Sequence, residues 1–395
     1  MIELKESLEN FFKKNIKRIQ KQRLKICMGS ITCDIDSFIS SLVLAHAINA
    51  IFVVNMRKEV FKSKGDLIWV CEKYQINTED LIFLERNVTP PFIEIGQFDP
   101  YLLVGNKKIY IKSKHIKLIL TDHNEPIKEL EHCKVEMIID HHTTTHAISQ
   151  IKKIYIDTGV GSCSTLVSRY LANDLSKKAK SGTKNFLQNK NQLCSQIASL
   201  LIIPILMDTK FLKRRVSFHD IAEYKKLKKL SRKSKSELKN EIKNINKARR
   251  NDQYQSTSIM LQKNYKSYVS IYDSFGISVI KYQFENWIDR EAKNVHEYEQ
   301  DKKGHGNYKL ISFSRGQEVD YYIVSCRKKN VRTIIIFDYP YIETLSNELG
   351  LKKIVHKEIE YYIIDVSITR KMLIRKMLQI NRKYKPWLYE YEYDY

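Results

Sequence analysis

The chain has 395 residues, 43% hydrophobic and 11% aromatic, enough for two domains with cores of their own. Lysine and arginine number 68 against 45 acidic residues, a net charge of +23; a polyanionic partner such as polyphosphate or nucleic acid accounts for such a balance, and so does the excess of Lys, Asn, Ile and Tyr spread through the chain. No apolar run reaches the roughly 18 residues of a membrane span, and seven cysteines without a CxxC pair exclude a cysteine-built zinc site and point to a reducing compartment, the cytoplasm.

The opening stretch carries Glu3, Glu6 and Glu9 and lacks a signal-peptide h-region. Residues 5–20 read as an amphipathic helix with Leu8, Phe11, Phe12, Ile16 and Ile19 on one side. "RLKICMG" follows as a short buried strand and "SFISSLVLAHAINA" as an apolar helix. "AIFVVNM", "DLIFLE", "IKLILT" and "KVEMIID" are short β-rich runs. Strands alternating with helices predict βαβ units and a parallel sheet. "GSCSTLVSRYLAN" reads as a helix capped near Ser162, and "NQLCSQIASLLIIPILMDT" as a longer buried helix with an irregularity at Pro204.

From Lys225 to Arg250 the chain holds twelve Lys or Arg against Glu237 and Glu241, with no proline or glycine. This predicts a solvated basic helix, or a pair, joining two domains. Beyond it, "YVSIYDSFGISVIKYQF", "YKLISFSRG", "DYYIVSCRK" and "VRTIIIFDY" read as strands, "EYEQDKKGHGN" as a loop, and "YEYEYDY" as an edge strand or a frayed tail. The expected organisation is α/β, with a first domain over 1–210, a basic helical linker over 211–255 and a second domain over 256–395.

Four of the apolar runs end in acids: Asp34 and Asp36 after "KICMGSITC", Asp122 beside His123 after "LILT", Asp140 before His141 and His142, and Asp208 after "IIPILM". In a parallel sheet, ligands gather beyond the carboxyl ends of the strands. Carboxylates with imidazole suit Mn²⁺, Mg²⁺, Co²⁺ or Zn²⁺. Two such ions about 3.5–4 Å apart can share a hydroxide and clamp a phosphoryl group.

"DIDS", "TDHN", "IDHH" and "LMDT", in this order and spacing, resemble the motifs of the DHH phosphoesterase superfamily. "LQKNYKSY" (261–268) and "SITRKMLI" (367–374) resemble segments of its DHHA2 branch, which holds family II inorganic pyrophosphatases, exopolyphosphatases and prune-type phosphodiesterases. "CDIDS" sits closest to the exopolyphosphatase and prune side. The resemblance implies an N-terminal parallel-sheet DHH domain with flanking helices, a smaller C-terminal α/β DHHA2 domain, and an active site in the cleft between them. It implies two divalent cations, Mn²⁺ first and Mg²⁺ or Co²⁺ as alternatives, held by Asp34, Asp36, Asp122, His141 and Asp208, with Asp122 and Asp208 contacting both. His142 would donate to a substrate phosphate, Asp140 would orient a ligand, and His123 and Asn124 would support Asp122. Gly161 and Ser162 would set a helix N-terminus near the site. Lys266, Arg370 and Lys371 would bind phosphates, with Arg327 and Lys328 of "VSCRKKNV" as the rival pair.

Three positions depart from the pattern: Ser30 stands where the family has His or Asn, Asn264 where Asp is usual, and Thr369 where Ser is usual. The activity the resemblance implies is exopolyphosphatase, with a basic channel to which Lys225–Arg250 would contribute. Pyrophosphatase, prune-like cyclic-nucleotide phosphodiesterase and a catalytically impaired polyanion-binding protein are the alternatives. The partners expected are inorganic polyphosphate or pyrophosphate, with no membrane.

Overall fold

The computed structural model describes residues 2–86, 99–144, 151–180, 190–250, 255–269, 273–296, 320–328, 330–337, 339–357 and 359–384. The stretches read above as "YKLISFSRG", "EYEQDKKGHGN" and "YEYEYDY" lie outside these residues. The described chain divides into two compact units, with the change at Arg249 to Arg250.

In the first unit, α1 (Ile2–Arg18) leads into β1 (Arg23–Met28), α2 (Ile35–Ala47) and β2 (Ile51–Val53). After α3 (Lys58–Lys62), α4 (Gly65–Lys73), β3 (Phe83–Glu85), β4 (Tyr101–Val104) and β5 (Lys107–Tyr110) come β6 (His115–Thr121), β7 (Lys134–Asp140) and β8 (Lys153–Ile156). A parallel sheet runs in the order β2-β1-β6-β7-β8. Its strand order reverses between β1 and β6, which opens a crevice at their carboxyl ends. Strands β1, β6 and β7 carry long apolar stretches because both faces are covered. Leu24, Ile26 and Met28 belong to one core with Ile138, Leu102 and Ile109; Cys27, Ile119 and Ile139 belong to another with Phe38, Leu42 and Ile202. "DLIFLE", read as a strand of the parallel sheet, instead supplies β3 of a separate antiparallel sheet, β3-β4-β5.

The unit continues with α5 (Cys163–Lys180), α6 (Lys190–Asp208), α7 (Phe218–Ser231) and α8 (Lys235–Ala248). Helix α6 runs through Pro204 to Asp208. Beyond it Lys210, Phe211 and Leu212 take φ of 48°, 60° and 61°. This left-handed turn is tied by Thr209, whose Oγ1 accepts from the Leu212 amide at 3.0 Å and whose carbonyl accepts from the Lys213 and Arg214 amides, each at 2.9 Å.

The basic run forms α7 and α8, and both pack into this unit. Leu227, Leu238, Ile242 and Ile245 are buried in its core. The helical spacing of Leu238, Ile242 and Ile245 gives α8 an apolar stripe, and α7 buries Leu227 beside Asp220 and Glu223, so the stretch up to Arg249 is part of the first unit and not a free linker. Gly65 at the head of α4 makes the seam possible: a Cβ there would lie 2.4 Å from the Ala248 carbonyl oxygen. Gly65→Ala is therefore expected to lower Tm by several degrees, read by thermal circular dichroism, because the backbone at Ala248 has to move away.

The second unit contains α9 (Thr257–Gln262), β9 (Lys266–Val269), β10 (Ser274–Ile280), α10 (Phe284–His296), β11 (Tyr321–Lys328), β12 (Val331–Phe337), α11 (Ile342–Leu349), β13 (Lys352–His356), β14 (Ile359–Ile364) and α12 (Arg370–Tyr384). Its mixed sheet runs β13-β14-β12-β11-β10-β9. One face packs Ile277, Ile323, Ile334 and Ile364 against Leu373, Ile374 and Met377 of α12; the other packs Tyr322, Val324 and Ile335 with Phe284 and Trp287 of α10. No helix among the described residues is long and apolar enough to cross a membrane.

Candidate metal centre

The crevice between β1 and β6 is where the acidic residues meet. Gly29 follows β1 directly, and a Cβ there would lie 2.6 Å from the Ser37 carbonyl oxygen, so glycine lets the strand end press on the head of α2. Asp34 is the N-cap of α2 and accepts from the Ser37 amide at 3.1 Å. Asp36, in the first turn, is buried. Its Oδ1 accepts from Ser162 Oγ (2.9 Å), Ser164 N (3.0 Å), Ser164 Oγ (2.8 Å) and Ser40 Oγ (3.2 Å), while Oδ2 accepts from Cys163 N at 2.7 Å. Asp36 is thereby fixed to the N-terminus of α5, and Oδ2, 4.0 Å from His141 Nε2, keeps room for a cation.

Asp122 ends β6 in the left-handed region at φ 62°. Aspartate tolerates that conformation better than most residues, and the bend turns its buried carboxylate into the crevice. Its Oδ1 lies 3.2 Å from His141 Nε2. Its Oδ2 accepts from Ser37 Oγ. Ser37 Oγ is 2.6 Å from Ser30 Oγ, which is 3.0 Å from Thr32 Oγ1. Ser30, the departure from the family pattern, thus sits in a hydroxyl chain behind Asp122.

His141 follows β7. Its Nδ1 lies 3.2 Å from the Val160 carbonyl, so Nδ1 carries the proton donated there and Nε2 turns toward Asp122. Asp140 is fully buried and accepts from the His141 amide (2.7 Å), His142 Nδ1 (2.9 Å) and Asn124 Nδ2 (2.7 Å). Asn124 therefore supports Asp140, where the sequence placed it behind Asp122. His123 Nδ1 meets the Thr121 carbonyl at 2.9 Å, and burial lowers its pKa. One ligand atom each from Asp122, His141 and His142 lies within 4.8 Å of the others. The His142 atom is Nδ1, 3.8 Å from Asp122 but held by Asp140 at 2.9 Å, which leaves Nε2 as the uncommitted nitrogen.

The electrostatics show how closely the acids approach one another. Burial and the charge of Asp34, partly offset by His141, push Asp122 up to about 7. Asp208, at the end of α6, is reached by solvent but crowded by protein; desolvation and the charges of Asp36, Asp34 and Asp122 raise it well above the carboxylate range. Burial opposes a charged His141, yet the bond to Asp122 and the charges of Asp36 and Asp122 outweigh it and raise the imidazole to about 10. Four carboxylates and one oriented imidazole form a donor set that fits divalent cations. A divalent charge would relieve the repulsion that protons now relieve.

Three neighbours were not visible in the motifs. Arg249, at the end of α8, donates from Nε to Asp66 Oδ2 at 2.6 Å, and Asp66, Asp34 and Asp208 raise its pKa against burial. Buried Lys64 donates to the Thr32 carbonyl at 2.6 Å. The close approach of Gly65 to Ala248 brings the ends of α4 and α8 together here.

Within the second unit, Lys266 pairs with Ile277, which pairs with Ile323. Alternation puts Arg327 on the same face, and Arg327 stands directly opposite Arg332. Arg370 opens the helix packed on that face. Burial and the positive charges of Arg327 and Arg370 lower the Arg332 pKa. Arg327 and Arg370, taken as rivals from the sequence, thus border one another around Arg332. Exposed Lys371 follows Arg370 in the first turn of α12. Among the described residues, Arg327, Arg332 and Arg370 have no carboxylate partner. Asn264 Nδ2 donates to the Val279 carbonyl at 3.1 Å, and Thr369 Oγ1 accepts from the Met372 amide at 3.3 Å.

Residues 25–205 match the DHH family, N-terminal domain. A Methanococcus jannaschii protein assigned to the family II inorganic pyrophosphatases shares the fold, with a TM-score of 0.56 at 16% identity over 90% of this chain and 98% of that one. An exopolyphosphatase-related protein from Bacteroides fragilis aligns over 97% of this chain and 98% of its own, at 14% identity and a TM-score of 0.33.

Proposed function

Because residues 25–205 belong to the DHH family, we propose that the chain is a metal-dependent phosphoanhydride hydrolase, and specifically an exopolyphosphatase that removes the terminal phosphate of inorganic polyphosphate. The meeting of Asp36, Asp122 and His141 at one crevice, where Asp122 also feels the charge of Asp34 and Asp208 that of all three acids, carries this reading. When bound there, two divalent cations lower the pKa of water and offset the charge of the phosphates.

The chain's own groups have distinct tasks in this reading. Asp122 and Asp208 would hold both cations. Asp34, Asp36 and His141 complete the donor set, with Asp36 anchored by the α5 amides and His141 oriented by the Val160 carbonyl. His142, with Nδ1 on Asp140, offers Nε2 to a substrate phosphate. Lys266, Arg370 and Lys371 are the phosphate-binding cations, joined by Arg327 and Arg332 on the same face.

The test is phosphate release from pyrophosphate, triphosphate and long-chain polyphosphate, with Mn²⁺, Mg²⁺ or Co²⁺ supplied. Triphosphate and long chains are expected to turn over at least about tenfold faster than pyrophosphate, a difference of about 1.4 kcal/mol in barrier. The reverse order would identify a pyrophosphatase, and no release with any of the three metals would remove the hydrolytic reading. In the same assay Arg370→Gln and Arg332→Gln are each expected to raise KM about tenfold or more with a smaller change in kcat, the loss of one charge-assisted contact.

A further inference from the structure

At the amino ends of the parallel strands, the pole away from the metal centre, the first unit has a concave region of about 900 Å³. Seven lysines and arginines line it against a single acid, Glu136. The chain as a whole has 68 basic and 45 acidic residues, so the general excess of positive charge does not account for seven to one. The cations are placed by the sheet itself. Lys25 pairs directly with Lys117, and Lys117 with Lys134, which makes a row of like charges across β1, β6 and β7. Arg23 opens β1 one level below, opposite His115. Arg18 and Lys21 come from the end of α1 and the turn after it.

Like charges on adjacent strands are destabilising, and the available compensation is small. Glu136 is shared, 3.2 Å from Lys25 and 3.7 Å from Lys117. Arg18 donates to Asn49 at 3.0 Å, and Lys114 to the Lys21 carbonyl at 2.9 Å. Among the described residues, Arg23, Lys21, Lys114 and Lys134 meet no carboxylate. Concave, dense positive charge of this kind attracts a multiply charged anion. The floor is Leu24, Ile51, Ile116 and Cys133, and among the described residues no Phe, Tyr or Trp lines the region. Recognition of nucleobases relies on stacking platforms that are missing from this lining.

We infer that this basic concavity is a second anion site, separate from the metal centre, that binds a ligand with several clustered phosphates and no aromatic base. Inorganic polyphosphate and a polyphosphorylated cyclitol both present that chemistry. The strands separate the two sites by about 20 Å, at about 3.3 Å per residue, so one long chain could meet both while a short one could not.

Binding is measured on the full chain in EDTA, by titration calorimetry and ligand-induced shift in Tm, with polyphosphate, inositol hexakisphosphate, ATP and a DNA duplex as separate probes. Polyphosphate and inositol hexakisphosphate are expected to bind and raise Tm, and rising salt to weaken both steeply. ATP is expected to bind no tighter than triphosphate. Arg23→Gln/Lys117→Gln/Lys134→Gln, which keeps the Lys25–Glu136 pair, is expected to weaken binding at least tenfold while its own unliganded Tm stays the same or rises, since repulsion is removed. Lys229→Gln/Lys239→Gln/Lys243→Gln, on exposed positions of α7 and α8, is expected to change binding less than twofold. Asp122→Asn is expected to keep it, which separates this site from the metal centre. Equal weakening by the two triple variants, loss of binding in Asp122→Asn, no Tm shift with either phosphate-rich probe, or tighter binding of duplex DNA than of polyphosphate would overturn the assignment.

Discussion

Asp122→Asn is expected to lower kcat for polyphosphate hydrolysis at least about 10³-fold, equivalent to about 4 kcal/mol of barrier, while leaving the fold intact. Asparagine is the informative replacement because Asp122 holds a left-handed backbone at φ 62°, which asparagine also accepts. Alanine would add backbone strain to the chemical loss and blur the two. The side chain stands at the centre of the site, with Oδ1 toward His141 and Oδ2 on Ser37. An amide retains the shape but has no negative charge to hold two cations together. The unfolding midpoint of the metal-free variant checks integrity, and calorimetry with Mn²⁺ checks occupancy. A variant that binds two equivalents of Mn²⁺ and turns over at the native rate would remove Asp122 from the centre.

The second large effect is a dependence of metal affinity on pH. Without metal, His141 keeps its proton up to about pH 10 and Asp122 up to about 7. Asp208 is likewise raised well above the carboxylate range. Metal ligation needs the deprotonated forms, so binding expels protons. The sign follows directly: raising pH removes the competitor and tightens binding, lowering pH weakens it. One displaced proton changes affinity tenfold per pH unit. Between pH 8 and 6 the displaced proton of the His141–Asp122 pair gives about 10²-fold. Titrating Mn²⁺ in buffers of different ionisation enthalpy counts the protons released. An affinity that is level across this range would exclude His141 as a ligand.

The strand-end aspartates were legible in the sequence for a physical reason. The runs "KICM", "LILT" and "MIID" are apolar because the sheet is covered on both faces, and the acids follow where the strands leave the core. The supporting contacts were less legible. Asn124 stands two residues from Asp122, but the left-handed bend at Asp122 carries it to Asp140. Ser30 occupies the position of a family ligand, yet its hydroxyl lies in a chain that runs through Ser37 to Asp122. Leu238, Ile242 and Ile245 carry a helical period, hidden in a run dominated by lysine, so α8 looked solvated when it packs into the core. The neighbourhood of Arg327, Arg332 and Arg370 depends on the register of β11 and β12, which periodicity alone does not set. Strands β4 and β5 fell in "YLLV" and "KKIY", too short to be read as strands.

The turn at Lys210–Leu212 has a thermal consequence. Three successive residues wound against the natural hand each cost roughly 1–2 kcal/mol, and they begin two residues beyond Asp208. Among the described residues it is the only run of three in this conformation. Warming should release it while the sheets are still intact, and Asp208 would lose its position with it. Heat inactivation should then run a few degrees ahead of the melting of the molecule.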